Sequence, residues 1–370
     1  MVGRKRHAIR VFVDVPNFFI RPNNTDWRYM KKLNRLSQYI PIDFYYPNDF
    51  LLSARNSVSY ISNRLLPLKH SHSYRDYQHR LAERELYNSR SDVIISHGPF
   101  PINSGSVPVV WQSAVLDPVM LRASGISDAS VENSYNAQAV SYALATKIQM
   151  ATDAEKNRHA KKFPALSDRF TAVPFFRPDI TSILSSEVAK KHEEDKKIKI
   201  LFVGREAYRK GLDLVLDAIN SMHEDEKKHI SFCIVSTLSH SKINMTTDVE
   251  VSYKRTLPFG EVSRLMREAH IFVMPSRFES FGLTYVEAMA NGCAVIAPDW
   301  EVQKEICANG VAGINVAPEV LTVRGALELL CFDRAKRIEI AQAGLQRFKE
   351  AYDPNVVAAA YLNLFESACA

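Results

Sequence analysis

Two stretches of this chain set charged side chains beside glycines in a way that suits an anionic, hydroxyl-rich ligand. The first is Leu201-Phe-Val-Gly-Arg-Glu-Ala-Tyr-Arg-Lys-Gly-Leu212, a strand, a short loop with Gly204, Arg205 and Lys210, and then a helix beginning at Gly211. A cation pair at the carboxyl end of a strand, beside backbone N–H groups at the positive end of a helix, makes an anion site. Arginine grips phosphate oxygens with its fork, and lysine acts as a point charge. Read singly, Arg205 and Lys210 are equally well surface charges on an ordinary strand-to-helix turn.

The second stretch runs from Met274 to Cys293: Met-Pro-Ser-Arg-Phe-Glu-Ser-Phe-Gly-Leu-Thr-Tyr-Val-Glu-Ala-Met-Ala-Asn-Gly-Cys. A strand ends at Met274, the loop carries Glu279, Ser280, Phe281 and Gly282, and a helix from about Leu283 carries Glu287 one turn in. Gly282 permits close backbone approach, and the helix start offers N–H groups to a phosphate. Carboxylates suit sugar hydroxyls, because charge-assisted hydrogen bonds are the stronger kind. The spacing predicts that Glu279 and Glu287 point along one cleft. Taken separately, Glu279 reads as a helix-start acid and Glu287 as an exposed helical residue, but that does not explain why both flank a close-approach glycine downstream of a second phosphate-type loop.

Gly-Arg-x4-Lys-Gly at 204–211, followed about seventy residues on by Pro-Ser-x2-Glu-x-Phe-Gly-x4-Glu-Ala-Met-Ala-x-Gly, resembles the retaining glycosyltransferases of family 4, of the bacterial cell-surface glycan type. The resemblance extends over residues 198–316, with Glu305, Gly310 and Gly313, and is thin over the first 170. It implies a GT-B fold: two Rossmann-like α/β domains facing a central cleft, with the C-terminal helix crossing back to the first domain. It also implies roles. Arg205 and Lys210 neutralise the donor diphosphate, Gly204 starts the loop, and Glu279 binds hydroxyls of the transferred sugar. Ser280, Phe281, Gly282 and Leu283 line the donor site, with Phe281 and Gly282 offering backbone contacts, and Glu287 holds the ribose. The base lies near Arg255 to Leu257. Arg205, Lys210 and Glu279 are the expected catalytic residues.

The chemistry fits these side chains. As the bond to the diphosphate breaks, charge grows on the leaving phosphate, where fixed cations and N–H dipoles stabilise the transition state more than the ground state. No Asp-x-Asp pair is placed to hold a divalent ion, so neither metal nor cofactor is expected beyond the nucleotide-sugar substrate.

Positioning these residues requires parallel α/β domains, and short β-branched runs alternating with helical periods supply the pattern. In the first half, strands are predicted at Ile9–Asp14, Ile42–Tyr46, Asp92–His97, Val107–Gln112, Lys147–Ala151 and Thr171–Pro174, with helices near 26–38, 74–90, 129–144 and 153–163. A solvated charge run at 190–199 precedes the second series, with strands at Ile198–Val203, Ile230–Val235, Val249–Ser252, Ile271–Met274, Ala294–Ala297 and Gly313–Val316. Helices are predicted near 211–222, 260–269, 283–291, 319–331, 333–351 and 354–369. This divides the chain into a domain at 1–178, joined by helix 354–370, and a domain at 190–353; the resemblance implies that the first binds the acceptor and the second the nucleotide sugar.

With 370 residues, of which 46% are hydrophobic and 24% charged, the chain can bury cores in both domains. No apolar run approaches the roughly 20 residues that span a bilayer. The five cysteines lack metal-type spacing and read as buried free thiols of a reducing compartment, so a cytoplasmic location is expected.

The net charge of +6 is concentrated in the first hundred residues, where 16 Lys or Arg face 8 Asp or Glu. Lys31, Lys32, Arg35, Arg64, Lys69, Arg75, Arg80 and Arg84 lie among apolar residues, which suits peripheral attachment to an anionic membrane at its inner face and a lipid-linked saccharide acceptor. A solvated basic surface accounts for them equally well. No nucleic-acid motif accompanies the charge.

Acceptor-side candidates are His97, at a carboxyl strand end, and Ser113. The glycine-rich loop common after the first strand in the family is absent here. Two other readings stay open: a different GT-B enzyme, such as a sugar phosphorylase or epimerase, and a noncatalytic protein that binds sugar nucleotides.

Overall fold

The computed structural model describes residues 8–14, 32–45, 86, 89–97, 106–112, 125, 127–193, 197–237 and 249–370. The chain forms two units, one of residues 1–118, 127–178 and 354–370, the other of 119–126 and 179–353.

The first unit is built on six parallel strands, β1 Ile9–Asp14, β2 Ile42–Tyr45, β3 Val93–His97, β4 Val109–Gln112, β5 Lys147–Met150 and β6 Phe170–Ala172. Their order is β2-β1-β3-β4-β5-β6. Val-Ile-Ile in β3 is buried on both faces, as in a parallel sheet covered on both sides. Helices α1 (Asp128–Leu144) and α2 (Asp153–Lys162) begin at Ser127 and Thr152, whose hydroxyls accept from the N–H groups of Ser130 and Glu155. The expected helix near 26–38 is seen only at its end, where Asn34–Gln38 is a 3-10 turn, and that near 74–90 lies largely outside the described residues.

The second unit repeats the plan with β7 Ile198–Gly204, β8 Ile230–Ser236, β9 Glu250–Lys254, β10 Ile271–Val273, β11 Ala294–Pro298 and β12 Ile314–Val316. The order is β12-β11-β10-β7-β8-β9. Its helices are α3 Ser185–Glu193, α4 Leu212–Asn220, α5 Glu224–Lys227, α6 Phe259–Glu268, α7 Leu283–Ala290, α8 Glu301–Ile306, α9 Val320–Phe332 and α10 Arg334–Ala351. The chain runs outward from β7 through β8 to β9, then returns to the other side of β7 and continues through β10 to β12. The crevice between β7 and β10 is therefore the switch point at which open α/β sheets hold ligands.

The last helix, α11 (Pro354–Cys369), belongs to the first unit. Its stripe of Val357, Ala358, Tyr361, Leu364, Phe365 and Ala368 packs on Val11, Val13, Val93, Ile95 and Val110 of the sheet. Tyr361 also places its hydroxyl between two buried amides, accepting from Gln112 Nε2 at 3.1 Å and Gln149 Nε2 at 2.8 Å.

One expectation is corrected. Residues 190–193 are not a solvated run, because they belong to α3, which buries His192 and half-buries Lys191. The Lys191 ammonium donates to the carbonyls of Met266 (2.9 Å) and Asn291 (2.8 Å), at the ends of α6 and α7. Burial lowers its pKa. The cysteines divide too: Cys293, Cys307 and Cys331 are buried, Cys233 is half-buried and Cys369 is exposed, all as free thiols.

Candidate active site

The loops after β7 and β10 meet because those strands are neighbours. Gly204 ends β7, and a Cβ there would come within 2.9 Å of Lys210 Cγ and 3.1 Å of the Phe202 ring, so glycine lets the lysine stem lie against the strand end. Gly211 then starts α4 at φ +78°, with space for a Cβ taken by the Pro275 carbonyl at 2.4 Å. The backbones of the two loops are in contact at this point. Gly282 plays the matching part at the start of α7, with φ +86° and the Tyr285 ring 2.4 Å from a would-be Cβ.

Hydrogen bonds fasten the loops further. Arg277 N donates to Arg209 O at 2.8 Å. The Arg277 guanidinium forks onto Asp213 at 2.8 and 2.6 Å, reaches the Tyr208 carbonyl at 2.6 Å, and lies over the Tyr208 ring at 3.8 Å from its centroid. Arg209 Nη1 donates to Phe278 O at 3.2 Å.

At the centre, Lys210 is ion-paired with Glu279, their side chains only 13% and 8% exposed. Arg209 is the second cation here, 4.0 Å from the same Glu279 oxygen and bonded to Glu206 at 2.6 Å. Burial lowers the Lys210 pKa against the opposing pull of Glu279. For Arg209, burial also acts downward, but the Glu206 hydrogen bond and the charges of Glu279 and Glu206 outweigh it and raise the pKa. The Tyr285 phenol, wholly buried and near Glu279, is pushed up strongly and donates to Met274 O at 2.7 Å.

The expected residues are thus divided among several settings. Lys210 and Glu279 come together. Arg205 is exposed, and its carbonyl accepts from Thr237 Oγ1. Phe281 is buried, Ser280 exposed and Leu283 half-buried. Glu287 is buried rather than the exposed helical residue it resembles in isolation. Arg255 to Leu257 directly follow β9. In the first unit, His97 ends β3 beside β1, where the strand order of that sheet switches direction; Ser113 lies outside the described residues. Of the basic N-terminal candidates, only Lys32 and Arg35 fall within them.

Sequence reasoning assigned no role to Arg209, Trp300 or Gln303. Arg209 stands next to Lys210 and three residues after Glu206, a spacing that marks a helix-turn ion pair. Trp300 and Gln303 carried no comparable signal, since their partners are carbonyls brought close only by the sheet.

Two cations and a carboxylate at this switch point, beside the starts of α4 and α7, can hold a phosphate and a polyol. Such chemistry agrees with what known proteins resemble this chain. Residues 185–347, within the second unit, match the family described as Glycosyl transferases group 1. An uncharacterized 41.2 kDa protein in the cps region of Klebsiella pneumoniae is 34% identical over 123 residues, 33% of this chain and 34% of that one. Phosphatidyl-myo-inositol mannosyltransferase of Mycobacterium leprae is 29% identical over 178 residues, 45% of this chain and 46% of the relative. The chain thus spans less than half the length of either curated relative.

Among solved structures, a glycosyltransferase from Rickettsia africae superposes with a TM-score of 0.66 at 12% identity, covering 98% of this chain and 99% of that one. Anabaena HepE in complex with UDP and glucose gives 0.60 at 14%, covering 98% and 100%. These likenesses show the fold, the two-domain α/β architecture of GT-B proteins.

Proposed function

We propose that the chain is a retaining glycosyltransferase that moves a hexose-type sugar from a UDP- or GDP-sugar to a lipid-linked saccharide acceptor in cell-surface polysaccharide synthesis. One observation carries this reading: the interlocked loops 205–211 and 275–282 at the switch point of the second sheet, with Lys210 and Glu279 buried between them. The family match over 185–347 supports it. So do the Klebsiella relative from a cps region, the mycobacterial mannosyltransferase and the UDP-bound Anabaena structure.

In this reading Lys210 and Arg205 hold the donor diphosphate and stabilise the charge that develops as the glycosidic bond breaks. Arg209 keeps the pocket cationic at that moment. Glu279 accepts from hydroxyls of the transferred sugar and Glu287 from the ribose. The leaving phosphate assists attack from its own face, which retains configuration and needs neither a carboxylate nucleophile nor a metal ion. Residues 190–353 form the donor domain. Residues 1–178 with the last helix form the acceptor domain, where His97 is a contact candidate. Its basic segment carries the enzyme to an anionic membrane at the cytoplasmic face. Among the described residues no helix is long and apolar enough to cross a membrane.

A thermal-shift screen with UDP-, GDP-, ADP- and CMP-sugars tests the donor assignment, since a ligand that binds only the folded state raises its melting temperature. One class of nucleotide sugar is expected to give a clear rise; a flat response to all of them at millimolar concentration would reject the assignment.

A further inference from the structure

The turn that carries Glu279 is also held by two side chains of the segment after β11. Trp300 Nε1 donates to the Ser276 carbonyl at 3.0 Å, and Gln303 of α8, with no exposed surface, donates through Nε2 to the Phe281 carbonyl at 2.9 Å. A peptide group is planar, so a bond to one carbonyl sets the direction of the next residue's N–H. The Ser276–Arg277 peptide is gripped at both ends, by Trp300 on its carbonyl and by Arg209 O on its N–H. The Phe281–Gly282 peptide is gripped on its carbonyl side. Among the described residues the Gly282 N–H donates to no protein acceptor. With its carbonyl drawn toward buried Gln303, this N–H faces the opposite way, at the start of α7.

Packing alone does not account for Gln303. Its Oε1 is buried without a hydrogen-bond partner among the described residues, which costs about 1–3 kcal/mol that an apolar residue of similar volume would avoid. What the glutamine supplies in return is the orientation of one peptide in the turn between Glu279 and α7.

Resting on the donor-site reading above, we infer that Gln303 is a positioning residue for the sugar half of the donor, with Trp300 supporting the other end of the same loop. It presets the Glu279–Gly282 turn for the transferred sugar, while the diphosphate is held by the separate loop at 205–210. The two halves of the donor therefore respond differently to its loss.

The test compares Q303M, which keeps the volume and removes the donor, with wild type. Calorimetric titration uses UDP, GDP or ADP, whichever stabilises the wild-type protein, and the glucose and mannose esters of that nucleotide. For Q303M the dissociation constant of the diphosphate stays within about twofold, while that of the bound nucleotide sugar rises about fivefold to tenfold, the worth of one hydrogen bond. W300F, which keeps an aromatic ring and loses the N–H, shows the same split to a smaller extent and serves as the deciding variant if Q303M does not fold. Equal weakening of both ligands, or of neither, overturns the inference and leaves the donor site standing. A wild-type protein that binds none of these ligands overturns both.

Discussion

Lys210 and Glu279, 69 residues apart in sequence, meet as a largely buried ion pair across the crevice between β7 and β10. Removing Glu279 takes from Lys210 the carboxylate it is paired with in a site with little access to water, whereas removing Lys210 leaves Glu279 with Arg209, 4.0 Å away. E279Q is expected to lower stability by about 3 kcal/mol, K210M by less, and the double variant by clearly less than the sum. Urea unfolding of all four proteins measures this. Strictly additive losses would mean that the pair does not interact in solution.

Arg205 offers a contrast within the same loop. It is exposed and stands apart from the interlocked backbone at Gly211, so R205A should change stability by no more than about 0.5 kcal/mol, the usual range for a surface site. Sugar transfer should still slow at least tenfold if Arg205 meets the diphosphate only when donor is bound, since that factor corresponds to about 1.4 kcal/mol of transition-state binding. Unfolding curves and initial rates, measured on the same preparation, decide it; unchanged rates would remove Arg205 from the site.

Acid sensitivity is expected from α3. Burial first, then the neighbouring cations Lys191 and Arg337 together with His270, hold the His192 pKa down at about 3 against an ordinary 6.5, although its bond to Gly292 O pulls upward. Its Nε2 bonds the Gly292 carbonyl at 3.0 Å and its Nδ1 accepts from Arg337 Nε at 3.3 Å, a pairing that suits the neutral ring. Between pH 6.5 and about 3 the unfolded chain binds a proton that the folded chain refuses, so stability falls as the pH falls through that window. H192Q, which does not titrate, should flatten the acid limb of the stability curve between about pH 6.5 and 4. An identical slope in both proteins would assign the acid limb to other groups.

Tyr361 tests the return of the last helix. Y361F removes the oxygen that accepts from both Gln112 and Gln149, leaving buried amide hydrogens without that acceptor at a cost of about 1–3 kcal/mol. Donor binding should be unchanged, because this network lies in the first unit. Denaturant unfolding and a donor titration report the two halves of that expectation, and a wild-type midpoint would show that the hydroxyl is not needed.

Much of the framework was legible in the sequence because burial on both faces of a parallel sheet demands contiguous Val and Ile. Runs such as Val93-Ile-Ile and Ile198-Lys-Ile-Leu-Phe-Val have no other comfortable place. The glycines at 204, 211 and 282 were readable for a related reason: a left-handed turn or a close backbone approach tolerates little else. Several strand bounds moved by a residue or two, and short α5 and α8 went unread, since they are too brief to show a helical period. Lys191 misled because a charge run looks solvated until a tertiary fold offers its ammonium two helix-end carbonyls.

The sequence by itself determined which residue types lie at the ends of β7 and β10, and hence that Lys210 and Glu279 were candidates for one ligand. Only the tertiary structure decided that they pair with each other, that Arg209 shares the site while Arg205 faces solvent, and that Gln303 and Trp300 hold the turn between them. Local sequence sets backbone conformation and periodicity, which act over a few residues. Strand order brings segments from three parts of the chain together, and a hydrogen bond between a side chain and a distant carbonyl leaves no local trace.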